Sequence, residues 1–106
     1  MSGQDNIAFT IRVVAASTTL TLNDYVLSVE APAANVTVTL PAVATVPPGR
    51  TYIIKRDATA TQTVTLDGAG AETINGAATR AVGAAGTAGA AVIISDGAEW
   101  HVIGSY

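Results

Sequence analysis

The sequence predicts an all-β protein: a small antiparallel β-sandwich or prism-like domain behind an extended N-terminal arm. Three observations carry this. Apolar and polar residues alternate with period two in several segments, as in Val36-Thr37-Val38-Thr39-Leu40 and Thr63-Val64-Thr65-Leu66. Turn signals separate these segments at short intervals: Asn23-Asp24, Pro47-Pro48-Gly49, Asp67-Gly68, Asn75-Gly76 and Asp96-Gly97. No segment reads as a convincing helix.

Residues 1–20 are expected to form the arm or an edge strand, and residues 21–106 a single β domain. Ile7 to Val14 is apolar with one charge, Arg12. Leu20-Thr21-Leu22 is a short alternating piece, and Tyr25, Leu27 and Val29 continue the pattern. In such strands the apolar side chains take one face and Thr the other, where its branched Cβ fits the pleat. Tyr52-Ile53-Ile54 and Ala91-Val92-Ile93-Ile94 are apolar on both sides. They read as strands buried on two faces, or buried on one and covered by a partner on the other. Ala77 to Ala91 is rich in alanine, but Gly83, Gly86 and Gly89 interrupt it. Asp96-Gly97 joins Ala91–Ile94 to Trp100–Ile103, which predicts a C-terminal hairpin. The alternating segments are unevenly spaced, so no internal repeat is assigned.

Composition narrows the function. Of 52 hydrophobic residues 21 are Ala, so only 31 larger ones are available for a core. Charged residues are 12% of the chain, about half the usual share. A net charge of −3 lacks the basic footprint of a nucleic-acid binder. Without cysteine there is no disulfide, thiolate metal site or thiol nucleophile. The uncharged stretch from Ala31 to Gly49 carries four prolines, which a spanning helix would not. The N-terminus lacks a signal-peptide pattern. The expectation is a protein that binds neither nucleic acid nor membrane, read as a whole gene product from Met1.

Candidate chemistry is sparse. His101 is the only histidine and formally makes a triad with an Asp and Ser28, Ser95 or Ser105, but its strand setting favours a surface or interface role. Asp96 with Glu99, and Asp67 with Glu72, are carboxylate pairs beside turns, where Asp suits the backbone anyway. The Asp67–Glu72 loop supplies two carboxylates of the six to eight oxygens a calcium ion takes, so a calcium site there stays open. Trp100 and Tyr52 are of the type that stacks on sugars, although Trp100 fits packing in the hairpin better. No catalytic residue, cofactor or metal site is assigned. Arg12, alone in an apolar arm, suits an ion pair across a subunit interface or a solvated edge.

One ordered set of motifs points to a family. Tyr25–Val29, Asn35-Val36-Thr37-Val38-Thr39-Leu40-Pro41, Pro48-Gly49-Arg50-Thr51-Tyr52, Glu72-Thr73-Ile74-Asn75-Gly76 and Ser95-Asp96-Gly97-Ala98-Glu99-Trp100 follow one another from Tyr25 to the end. This order resembles β-rich structural modules of tailed bacteriophages, found in tail fibres and capsid decoration proteins. The resemblance implies a virion structural protein, commonly a homotrimer. Because the module nearly fills the chain, the expectation is a capsid decoration (cement) protein. It would be made in the host cytoplasm and sit on the capsid surface, bound to the major capsid protein at three-fold positions. A tail-fibre or tail-spike component is the alternative. The candidate capsid or subunit contacts are Ile7, Phe9, Ile11, Arg12 and Val14 in the arm, where main-chain bonds to a neighbour would supply affinity.

Overall fold

The computed structural model describes residues 9–106. Ile7 lies outside the described residues. The described residues form nine strands: β1 (Ile11–Val14), β2 (Thr18–Thr19), β3 (Val26–Val29), β4 (Val36–Thr39), β5 (Thr51–Arg56), β6 (Val64–Asp67), β7 (Thr79–Ala81), β8 (Gly89–Ser95) and β9 (Trp100–Ser105). One 3₁₀ turn, Val43–Thr45, lies between β4 and β5. The all-β class is as expected. Among the described residues no helix is long and apolar enough to cross a membrane.

The strands make a five-stranded sheet, in the order β1-β3-β5-β8-β9, and a four-stranded sheet, β2-β4-β6-β7. Through β6 the chain alternates between them. Each strand after β2 pairs in parallel with the strand two before it: β1 with β3, β3 with β5, β2 with β4 and β4 with β6. Parallel neighbours need a crossover, and here a strand of the opposite sheet supplies it. The result is three turns of a two-sheet coil. The antiparallel pairing expected from sequence holds in the later strands: β6 with β7, β5 with β8 and β8 with β9.

The turns of the coil are unequal. Ile11 pairs with Val26, 15 residues on, and Val26 pairs with Ile53, 27 residues on. The longer second step accommodates the loop through Pro47-Pro48-Gly49. Structural turns of such different length leave no sequence period to detect.

One apolar cluster lies between the sheets. Leu27, Val29, Tyr52, Ile54 and Ile93 enter from the five-stranded sheet, and Val36, Val38, Val64 and Leu66 from the other. The strict alternation of β4 and β6 does what it predicts: their Val and Leu are buried, and their Thr side chains lie outside. Residues 11–20 are built into this body through β1 and β2. Val14 packs against the cluster, and Leu20 is buried in it.

Trp100 is fully buried, 5.7 Å from the Tyr52 ring centroid, and its indole N–H donates to the Pro41 carbonyl at 3.2 Å. Both aromatic residues are therefore core, and neither offers a face to a sugar. Asn75-Gly76 forms a tight reversal with φ of 52° and 81°, closed by bonds between Ile74 and Ala77. Two consecutive left-handed residues define the hairpin turn that Asn-Gly favours.

Two arginines close the interior. Arg56 is 1% exposed and donates to the carbonyls of Ala60, Gln62 and Val82, tying the β5–β6 loop to the residue after β7. Arg12 shares the inward register of Leu27 and Ile54 and donates to Asp24, to Thr18 Oγ1 at 3.0 Å and to the Thr19 carbonyl at 3.2 Å. It places a polar cover over the first turn of the coil, as the terminal turns of a solenoid require.

Candidate interaction surface

The two sheets differ on their outer faces. On the four-stranded sheet, Thr37 stands beside Thr65, and Thr19 beside Thr39, Asp67 and Thr79. This is a polar, solvent-adapted surface. On the five-stranded sheet the equivalent row is apolar: Ile11, Val26, Ile53 and Val92 lie side by side on β1, β3, β5 and β8, and Gly104 of β9 follows. None of these is buried. Thr51, Ile94 and His101 form the neighbouring row. At the other end, Lys55 donates to Ser28, which donates to Glu30, so the apolar area has a polar border.

The edges differ in the same sense. Phe9, Ile11 and Val13, on and just before β1, are exposed by 65%, 63% and 57%; Ile103 and Tyr106, at the end of β9, by 60% and 83%. Phe9 stacks on Tyr25 with ring centroids 4.4 Å apart. The edges of the four-stranded sheet carry Thr18 and Thr19 on one side and Thr79, Arg80 and Ala81 on the other. Among the large apolar side chains exposed in the described residues, only Leu22 lies away from β1 and β9.

The sequence-derived contacts divide accordingly. Phe9 and Ile11 are on the exposed apolar edge. Val14 points to the core, one register position from Val13, which the sequence reading passed over. Arg12 binds within its own chain: its Nε donates to Asp24 Oδ1 at 2.9 Å and its Nη2 to Oδ2 at 3.0 Å. The pair is formed within one copy, while the Arg12 side chain stays 37% exposed. Burial would raise the Asp24 carboxyl's pKa; the bonds from Arg12 and Thr21 outweigh it and hold the pKa below its ordinary value.

The outer row was partly legible. Tyr52-Ile53-Ile54 is apolar on both sides, and the structure buries Tyr52 and Ile54 while leaving Ile53 partly open. Trp100-His101-Val102-Ile103 reads in the same style, but which of its side chains face out depends on the register shift between Val92 and Ile93.

The titratable groups at the β8–β9 turn cluster. Asp96, Glu99 and His101 bring three ligand-type atoms within 4.8 Å of one another. The turn itself accounts for much of their bonding. Asp96 Oδ1 accepts from the Ala98 and Glu99 amides, and Glu99 Oε1 from the Gly76 amide and the Thr73 hydroxyl. The Glu99 amide bond, then His101 and the Ala98 amide, lower the Asp96 pKa to about 2. In return, the bond from His101 Nε2 to Asp96 Oδ2, 2.7 Å long, raises the imidazole's pKa. Among the described residues no serine hydroxyl is hydrogen bonded to His101, so the formal triad is not assembled. Glu72 accepts from the Val43 amide at 3.0 Å, and Asp67 and Glu72 join no three-ligand group among the described residues.

The chain matches no model of a known protein family and no curated protein sequence.

Proposed function

We propose that this chain is a non-enzymatic virion structural protein: a trimeric capsid decoration protein that binds the outer shell at three-fold positions and stabilises it. The observation that carries this reading is the apolar row Ile11, Val26, Ile53 and Val92 on the outer face of one sheet, opposed to a threonine-rich face on the other. Apolar surface removed from water contributes about 25 cal/mol per Å², so this face is the part of the molecule that gains by contact. The motif order from Tyr25 to Trp100 supplies the phage context. A protein that binds only the assembled shell stabilises it by mass action, as any ligand specific for one state does.

The test is to add the purified full-length protein to expanded capsids lacking it, and to image them. Density at three-fold positions, with a higher melting temperature of the shell, is the expected result. No binding, or binding at the tail alone, overturns the reading; the second outcome points to a tail-fibre component.

A further inference from the structure

We propose that three copies close around a three-fold axis with the outer faces of their five-stranded sheets turned inward, the β1 edge of each copy meeting the β9 edge of the next. This rests on the trimer of the preceding section and specifies how it is built.

Four observations lead there. First, the apolar outer row and the exposed apolar edges belong to the same sheet, while the four-stranded sheet has a threonine-rich face and edges without large apolar residues. Second, the β1 edge is open among the described residues. The carbonyls of Thr10 and Val14 accept from Val26 and Glu30, so by strand alternation the amides of Ile11 and Val13 point away from β3. An apolar edge with open amides is what sheets protect unless it pairs. Third, the β9 edge is covered over its first half only. Trp100 exchanges bonds with Thr73 and Asn75, and the Val102 amide donates to the Asn75 side chain; from Ile103 on, the edge is open among the described residues. Fourth, the directions agree. The β3 and β5 strands run with β1, β8 runs against them, and β9 runs with β1 again. Rotation about an axis along the strands preserves direction, so β9 and a neighbour's β1 meet as parallel strands.

The occupant is a second copy because each copy offers two such edges. A two-fold pairing of β1 with β1 leaves Ile103 and Tyr106 uncovered, whereas a closed ring uses both edges of every copy. The area is adequate only when face and edges act together. A five-stranded face measures about 20 Å across by 15–20 Å along the strands. With the two edges it approaches the roughly 800 Å² per partner of a standard interface.

The absence of cysteine makes the test clean. The full-length double variant Ile11→Cys with Ile103→Cys is oxidised mildly and run on a denaturing gel. A second pair, Val13→Cys with Ser105→Cys, covers a different register. Within one copy β1 and β9 are four strand spacings apart, about 19 Å, beyond the roughly 7 Å between Cα atoms that a disulfide tolerates. Light scattering should give three times 10.6 kDa, and at least one pair should yield a covalent trimer. A trimer in solution that neither pair cross-links overturns the β1–β9 contact but leaves the trimer standing. A covalent dimer from Ile11→Cys alone overturns it in favour of β1–β1 pairing. A monomer in solution removes the trimer itself.

Discussion

Arg12 and Asp24 form a two-point contact, with guanidinium nitrogens 2.9 and 3.0 Å from the two carboxylate oxygens. Asp24 is 5% exposed, and its oxygens also hold the Thr21 amide and hydroxyl. Arg50 donates to its main-chain carbonyl. The contact therefore joins β1 to the turn before β3. Replacing Arg12 by Met leaves the carboxylate without its cation. A loss of about 1–2 kcal/mol in urea unfolding is expected, near the value for a charged hydrogen bond and below that for a fully buried pair.

The same contact sets an acid limit. Asp24 has a lower pKa folded than unfolded, so its contribution is present above about pH 4 and is lost as pH falls through the folded value. Stability measured from pH 5 downward should fall less steeply in Arg12→Met than in the parent. Equal slopes would show that the pair does not couple folding to protonation.

Among the described residues Arg56 is the most deeply buried charge, and its three carbonyl partners come from two loops. Arg56→Ala removes these donors and opens a cavity, at an expected cost of about 3 kcal/mol. Arg56→Lys keeps the charge but loses the planar fork, and should recover only part of that loss. Full recovery in denaturant titrations would assign the role to charge alone.

The His101–Asp96 pair is read directly by NMR. The imidazole should titrate above its ordinary value of 6.5, and Asp96→Asn should bring it back toward that value. Because the folded pKa is raised, the pair's contribution is complete below the unfolded pKa and fades as pH rises through the folded one. A histidine that titrates identically in both proteins would mean that the 2.7 Å contact is not kept in solution.

A charge on the apolar outer face separates assembly from folding. Ile53→Lys should keep the strand signal in circular dichroism while the mass falls from trimer to monomer. Thr37→Lys, on the outer face of the other sheet, should leave the mass unchanged. A trimeric Ile53→Lys protein would place the interface elsewhere.

Much of this arrangement was legible in the residues, and the remainder was hidden for definite reasons. Period two in Val36–Leu40 assigns faces correctly, because alternation follows from the pleat alone. It does not name neighbours, so the parallel pairing of β1, β3 and β5 could not be read from it. In the sequence Asn23-Asp24 reads as a turn, and Arg12 as an interface ion pair or a solvated edge charge. Nothing local links them, since the contact exists only once the turn folds back beside β1. The outer row showed in the two-sided hydrophobicity of Tyr52–Ile54, but only the register joins Ile53 to Ile11 and Val92.

The β8–β9 hairpin carries a consequence for biosynthesis. The strand β5 has β8 as its second neighbour, and Trp100 occupies the core beside Tyr52. A nascent chain that has completed all three turns of the coil still has an open sheet edge and an unfilled interior until residues 89–105 leave the ribosome. Such an intermediate exposes the strand edges and apolar surface that drive aggregation. A nonsense codon after β7 should therefore yield insoluble material rather than a shorter working protein.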